Sequence, residues 1–531
     1  MIGVEFPEPA IASLAPASIA SQVETLLEGL TLKQLIQPAA GLEDAYRFNH
    51  QLIRDATYHA MLKRGRATVH EAFAEWLLAQ EAERIGEFEE VIAYHFEQAH
   101  LYLRELGPLD EHGQHLGERA SGLLAETGRR AFAREDFPAS VGLLRRAAAL
   151  LPEGTTERRA MQLLLTEALD ELGAFAEAEA LLNDIEGSAT AAGDEASAAR
   201  ARLLRLRLEL ATGAGPDWAV RALTEADRDI PIFDALADFA GGSLAWRLRS
   251  VVHATACLWS ETAADAERVI ELAGRAHDVR QRLRGISNLA VAVTYGPTPV
   301  PEAIRQCEAL AAEVGPDRLT AAVLTGFLGQ LYAMRGDFDE GRERVDAARR
   351  LVDEMGQRVH AASLAVDLAE VELRANDPAA AEGALRSASS ALEEFGETYV
   401  LATVAGLLGR ALLERGQLEE AEAESRRAER LAAADDLDAN VRWRSLRASV
   451  AARQGSGQTA VQLAREAVEL SRGAEAPLMT ASALAVLAEA LAESGDEAGA
   501  AEALQESMSL YEAKGDVVSA DRLRAAPARS R

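Results

Sequence analysis

Gly336-Asp-Phe338-Asp-Glu-Gly341 has close copies in Gly416-Gln-Leu418-Glu-Glu-Ala421, Gly173-Ala-Phe175-Ala-Glu-Ala178 and Gly495-Asp-Glu-Ala-Gly-Ala500. In each, a small residue (Gly or Asn at most copies) closes one helix, and two residues later an aromatic, Leu or Pro often stands. Three further on is a small residue, and four beyond that a Leu or another space-filling side chain. The small anchor falls at Ser140, Ala178, Ala219, Ala264, Ala303, Gly341, Ala381, Ala421, Ala460 and Ala500, at intervals of 38 to 45 residues. A period of this size specifies a solenoid of stacked helical hairpins. Forty residues hold two helices of about 15 to 17 residues, each about 25 Å long, with two short turns. The anchor must be small because bulky side chains would force closely crossing helices apart. The large residue four positions later shares its face and fills the gap to the next hairpin. Ala211 to Gly315 is the least regular stretch, where Pro216, Pro231, Pro297, Pro299 and Pro301 are predicted to break helices.

The pattern resembles tetratricopeptide repeats, on the strength of Leu328-Gly329 with Tyr332 and Gly336-Asp-Phe338, and of Leu408-Gly409 with Gly416. The Trp of that family's first helix is mostly Leu or Ala here, and the units are longer than the family's basic one. The resemblance implies an all-α, tetratricopeptide-like hairpin solenoid of about ten repeats of about 40 residues over 121–520. A tail over 521–531 is expected to be disordered.

Composition fits this architecture. Hydrophobic residues make up 48% of the chain but aromatics only 5%, so the core must be built mainly of Ala and Leu. No apolar run reaches the roughly eighteen residues of a membrane span, and no signal segment opens the chain. Cys257 and Cys307 fall in different predicted hairpins and read as reduced structural thiols of a cytoplasmic protein. The net charge is −30, and Lys33, Lys63 and Lys514 are the only lysines. Such a balance repels polyphosphate backbones and keeps an Ala-rich array soluble.

The first 120 residues do not repeat. Ala20 to Ala39 reads as a helix, followed by a turn containing Gly41. Tyr46-Arg-Phe48 reads as a short strand, and Asn49 as the cap of a helix from His50 to Leu62. Leu52, Ile53, Ala56 and Ala60 are the expected buried stripe of that helix, with His50, Arg54 and Tyr58 on another face. Helix, turn, strand and helix make a small winged-helix-like plan over 1–76, with connecting helices over 77–120. Phe48-Asn-His50-Gln-Leu-Ile-Arg54-Asp55-Ala-Thr-Tyr58, with Arg66 and His70-Glu-Ala-Phe-Ala-Glu-Trp76, resembles the segment after the nucleotide-binding module of signal-transducing (STAND-type) ATPases. Some members of that group carry class III adenylate cyclase domains and others LuxR-type DNA-binding domains. By that resemblance His50 is a candidate phosphate sensor, with Arg54 and Asp55 orienting its helix, if a nucleotide-binding partner is present. The chain has no G-x-x-x-x-G-K-[ST] loop, so the resemblance implies the C-terminal part of such a regulator without its ATPase module. A truncated gene product and a split subunit both fit.

No catalytic constellation is found. His112 and His115 share a helical face with Glu111, but no third His or Cys completes a tetrahedral metal site. His70-Glu71 lacks the metalloprotease spacing, and Gly455-Ser456-Gly457 sits at a repeat turn with no strand before it. Gly213-Ala-Gly215-Pro216 is not a dinucleotide fingerprint, and no carboxylate pair stands out as acid and base. No cofactor or metal is expected. Arg47, Arg54, Lys63, Arg64 and Arg66 against Asp55 make a locally basic segment, but the overall charge disfavours DNA.

The leading expectation is a non-catalytic regulatory scaffold whose groove binds a protein, peptide or small inducer, with an ATPase partner at the N-terminal end. Arg205, Trp246, Arg247, Arg410 and Trp443 are the groove-facing candidates read from the period. One alternative is a component of an adenylate cyclase-type or LuxR-type system that is inactive without its ATPase module. Another is a DNA-binding transcription factor acting through the winged-helix-like segment.

Overall fold

The computed structural model describes residues 5–39, 45–80, 85–134, 136–213, 215, 217–315 and 317–525. They form two compact units, Met1–Ala198 and Ala199–Arg531. The Gly41 turn, Pro216 and residues 526–531 lie outside the described residues.

The first unit opens with β1 (Glu5–Pro7), α1 (Glu8–Leu14), α2 (Val23–Leu32), β2 (Ile36–Pro38), β3 (Ala45–Phe48) and α3 (Gln51–Ala60). The strands form one antiparallel sheet in the order β1-β3-β2. Phe6, Val23, Leu27 and Ile36 pack beneath it with Tyr46 and Phe48. The strand expected at Tyr46–Phe48 is present, but the helix expected through Ala39 ends at Leu32. Gln34 turns the chain with a left-handed φ of 56°, which frees Ile36–Pro38 to pair with β3. Asn49 does not cap α3; its amide donates to the Gln34 carbonyl at 2.6 Å, and His50 takes the cap position without a side-chain bond. Nor does α3 bury the predicted stripe: Leu52 is 80% exposed, and Ala56 and Ala60 are exposed. Its half-buried side carries Ile53, Arg54 and Tyr58, because the Tyr58 hydroxyl bonds inward to His70 and Tyr102.

The unit continues through α4 (Lys63–Gln80), α5 (Ile85–Leu106), α6 (Glu111–Ala133), α7 (Phe137–Ala149), α8 (Thr156–Glu171) and α9 (Phe175–Ala192). Residue 76 falls inside α4 and residue 120 inside α6, and Phe73, Phe96 and Leu116 tie α4, α5 and α6 into one core.

From α10 (Glu195–Gly213) onward the order is α11 (Trp218–Leu236), α12 (Phe239–Thr255), α13 (Trp259–Arg275), α14 (Val279–Tyr295), α15 (Val300–Glu313), α16 (Arg318–Met334), α17 (Phe338–Glu354) and α18 (Arg358–Arg374). Then come α19 (Pro378–Phe395), α20 (Tyr399–Glu414), α21 (Leu418–Leu431), α22 (Leu437–Arg453), α23 (Gly457–Arg472), α24 (Pro477–Ser494), α25 (Glu497–Lys514) and α26 (Val517–Ala525). Consecutive helices pair as hairpins, and from α12 to α24 the even-numbered helices also pack on one another. Among the described residues the hairpins are α6–α7 and α8–α9 in the first unit and eight more from α10 to α25, helical repeats of the expected kind.

Most turns between these helices use a left-handed residue. Gly336 (φ 93°) and Gly416 (φ 79°) supply it where the sequence signature is clear. Ala237, Cys257 and His277 adopt the same conformation at φ 52–54° without being glycine, a cost of about 1–2 kcal/mol each. Of these only Cys257 precedes an odd-numbered helix, where the signature is read; there, and ahead of α15, where Gly296 has a φ of −74°, the glycine signature fades. Between Ala211 and Gly315 the buried small residues are Ala222 and Thr262, while the expected anchors Ala219 and Ala264 are half-buried and exposed. Ala500 is likewise only half-buried, with Ala503 taking its place in the core. Pro231 does not break α11; it sits exposed inside the helix, where solvent can satisfy the freed carbonyl. Pro301 sits in the first turn of α15, where its missing N–H is harmless.

The second unit is also closed by a seam between turns far apart in sequence. Thr398 N–H donates to the Ala211 carbonyl (3.4 Å) and Ala219 N–H to the Asp435 carboxylate (2.9 Å). Glu475 bridges the next turn, donating to the Cys257 carbonyl (3.1 Å) and accepting from Ser260 N–H (2.7 Å). Lys514, 1% exposed, donates to the carbonyls of Val293, Gly296 and Thr298 at 3.2, 2.8 and 2.7 Å. These three oxygens end α14 and begin the next turn, and they occupy all three ammonium protons. The tail expected from residue 521 is helical through Ala525, because Arg522 donates to the carbonyls of Leu373 (3.0 Å) and Arg374 (2.9 Å). Among the described residues no helix is long and apolar enough to cross a membrane.

One close crossing is between α16 and α17. A Cβ on Gly329 would lie 2.8 Å from the Gly341 carbonyl oxygen and 2.6 Å from a Val345 methyl. Gly329→Ala is therefore expected to destabilise the fold by about 1–3 kcal/mol, as overpacking does. Gly383→Ala, with open space at an exposed helix position, should be neutral or stabilise by about 0.5–1 kcal/mol. Urea midpoints of the two variants check both; equal shifts would refute the account of the crossing.

Candidate functional site

The inner layer of even-numbered helices in the second unit gathers a cluster of buried and half-buried, mutually paired polar side chains. Glu370 on α18 is the hub. Its two oxygens accept from Arg442 of α22 (3.0 Å) and from Arg374 one turn on (2.9 Å). Arg374 also pairs with Asp516 (3.2 Å), and Arg442 with Asp438 (2.6 Å). Burial alone would raise the Glu370 carboxyl, but Arg442, Arg374 and Arg410 together hold it at about 2. Each buried charge here is paired and hydrogen-bonded, the condition under which such charges are tolerated.

One turn before Glu370 stands Asp367, 6% exposed. Gln330 of α16, fully buried, donates its amide to Asp367 and to the Tyr295 hydroxyl of α14 (2.7 Å). Burial pushes the Asp367 carboxyl up to about 7; the Gln330 bond opposes this and the Glu370 charge adds to it. Gly326 makes room for the carboxylate, since a Cβ there would fall 2.8 Å from its oxygen. Tyr295 and Tyr399 are half-buried on the same layer, and burial raises both phenols. Asp436, at the cap of α22, is also pushed up to about 7, by burial and then by Asp438.

The five groove candidates separate. Arg410 joins the Glu370 cluster electrostatically and is half-buried, with Glu414 as its ion-pair partner (3.3 Å). Arg247 is buried and donates to Gln281 of α14 (3.2 Å). Arg205 is half-buried on α10. Trp246 is half-buried beneath the guanidiniums of Arg249 and Arg268, at 4.9 and 5.7 Å. Trp443 is 7% exposed, packs on Ala405 and Ala428, and donates to Asn440 (3.2 Å). The tryptophans thus fill helix contacts, while Gln330, Asp367, Glu370, Arg374 and Arg442 were not anticipated.

In the first unit His50 is exposed, and Arg54 is paired with Asp55 at 2.6 Å. The basic segment is largely committed: Lys63 pairs with Glu105 (2.9 Å), and Arg66 donates to the carbonyls of His59 and Met61 while lying over Tyr58. Half-buried Tyr58 leads into buried His70 and His95, with His70 to Tyr58 at 2.9 Å and His70 to His95 at 2.8 Å. Burial, with the His95 contact, pulls His70 down to about 3, so both rings are neutral packing groups near pH 7. His112 pairs with Glu71 (3.0 Å), and among the described residues no group of three His, Cys, Asp or Glu is arranged to hold a metal. Cys257 and Cys307 are buried free thiols.

No family model matches the chain, and no curated protein does. Among solved structures, a Rap protein complexed with the competence and sporulation factor aligns with a TM-score of 0.52 at 12% identity, over 67% of this chain and 98% of that one. The Cut9–Hcn1 hetero-tetramer of the APC/C gives 0.48 at 14% identity, over 86% of this chain and 88% of that one. Yeast Tom70 gives 0.34 at 13%, over 86% and 95%. At these identities the likeness is one of fold: a tetratricopeptide-type helical solenoid.

The raised Asp367 carboxyl has a stability consequence. The unfolded chain releases this proton near pH 4 and the folded one near 7, so ionised Asp367 opposes folding increasingly as pH rises between them. Asp367→Asn should stabilise the chain on the order of 3 kcal/mol at pH 8, with the gain shrinking toward pH 4. Melting temperatures at the two pH values check this, and a gain that grew toward pH 4 would contradict it.

Proposed function

We propose that the chain is a non-catalytic regulatory scaffold whose second unit receives a peptide or protein segment on its inner, even-numbered helix layer. The observation that carries this reading is the preorganised set of half-buried Tyr295, Tyr399 and Arg410, backed by the Glu370–Arg374–Arg442 pairs. Side chains fixed in advance lose little freedom when a ligand arrives, and mixed aromatic and charged groups suit a peptide. A Rap protein of the same fold complexed with the competence and sporulation factor is in keeping with a solenoid that receives a partner. Arg410 is a direct contact in this reading, whereas Trp246 and Trp443 set the helix positions around it. Two reduced cysteines buried in separate hairpins are in keeping with a cytoplasmic setting.

A finer reading rests on the Phe48–Tyr58 resemblance: the chain as the sensor arm of a signal-transducing ATPase whose nucleotide module is supplied elsewhere. Exposed His50 and the uncovered side chains of Leu32 (86%), Leu52 (80%) and Leu62 (83%) on the first unit favour it, since large apolar residues left in water often mark a contact surface.

The test is a random hexapeptide pool carrying a photoreactive group, irradiated with the full chain. Crosslinks are expected on α14, α18 and α20, and Arg410→Glu should reduce them several-fold. Crosslinks confined to odd-numbered helices, or none above an unrelated helical protein, would refute the inner-face reading.

A further inference from the structure

Asp367 differs from the carboxylates around it. Glu370, Asp438 and Asp516 each have an arginine within hydrogen-bond distance. Asp367 has the Gln330 amide and, among the described residues, no cation paired with it. Gln330 is itself incomplete. Its nitrogen serves Tyr295 and Asp367, but its amide oxygen, on a residue with 0% exposure, accepts no hydrogen bond. A carboxylate with no paired cation and an amide oxygen with no donor therefore lie one side chain apart, beside the Tyr295 hydroxyl. Buried acceptors left unmet are costly, and such a deficit in a folded protein calls for a partner.

The partner's chemistry follows from what is missing. The need is for positive charge and more than one N–H on a compact centre. A guanidinium is a planar fork matched to two oxygens of one carboxylate, whereas an ammonium directs three donors at separate single oxygens. We propose that Asp367, Gln330 and Tyr295 form a recognition site for a primary ammonium group carried by the peptide ligand, with Asp367 as its counter-charge. This rests on the inner-face reading above and specifies which end or side chain of the peptide is read. A peptide N-terminus and a lysine side chain offer the same group.

Binding an ammonium displaces the proton that burial keeps on Asp367, so binding should tighten as pH rises through about 7. Of the groups around it, Glu370 stays ionised, Arg374 and Arg442 stay charged and Tyr295 stays neutral across that range. Asp436 on α22 titrates in the same window, so Asp436→Asn is the control.

The experiment uses the full chain and three random hexapeptide pools: free amino-terminal without lysine, acetylated with lysine, and acetylated without lysine. Retained peptide is read by mass spectrometry at pH 6 and 8. At pH 8 one ammonium-bearing pool should be retained about tenfold more than the pool lacking any amine, the scale of one charged hydrogen-bonded contact. Which pool it is identifies the source of the ammonium. The preference should shrink at pH 6, vanish in Asp367→Asn, fall in Gln330→Leu, and persist with its pH dependence in Asp436→Asn. Circular dichroism confirms that each variant is folded. Equal retention of all three pools, unchanged by Asp367→Asn, would overturn the ammonium site and leave the inner-face reading standing. No retention of any pool by the wild-type chain would overturn the inner-face reading, and the site with it.

Discussion

The second unit depends on how closely neighbouring helices can approach. Where Gly329 meets Gly341, no side chain separates the two backbones, and Ala421 beside Gly409 repeats the arrangement one pair of hairpins later. Close approach lets 0%-exposed alanines such as Ala381 and Ala460 supply the core in place of aromatics. It also draws the even-numbered helices into one inner layer, so that groups from α14, α16, α18, α20 and α22 reach one another. The charged cluster follows from that small-residue packing.

Once on the inner layer, polar groups must satisfy one another. Glu370 does so with two arginines, and Arg374 and Arg442 each reach a further carboxylate. Breaking one member would strand the others in a poorly solvated place, which is why such networks hold their side chains in single positions. Asp367 sits at the edge of this arrangement with no cation paired to it among the described residues. The cluster therefore combines a half whose charges are paired with a half that has no paired cation.

The architecture was legible in the sequence because left-handed turns written with glycine recur at a fixed spacing. It blurred ahead of α13, where Cys257 takes the same backbone conformation and nothing in its side chain announces it. The anchor accordingly slipped from Thr262 to Ala264. Aromatic size misled the search for the site: Trp443 looks like a contact residue, but its neighbours Ala405 and Ala428 are small enough to bury it. The better signal was acidic residues in an otherwise apolar run, Leu364-Ala-Val-Asp-Leu-Ala-Glu-Val-Glu-Leu373. Their partners could not be read, because Arg442 lies 72 residues from Glu370 and Asp516 lies 142 from Arg374, and the forty-residue period carries no such pairing. On α3 the hydrophobic stripe failed because a tyrosine hydroxyl drew the polar side inward.

An ordinary repeat array is additive: each hairpin leans on its neighbours, and the end can be shortened one unit at a time. The seam removes that freedom. Lys514 serves oxygens 216 to 221 residues earlier, so the last hairpin holds a turn in the first half of its own unit. Loop closure over such a span comes late in folding, after the local hairpins have formed. The second unit thus assembles as a string but melts as a ring, with cooperativity closer to that of a globular domain than to that of a spring.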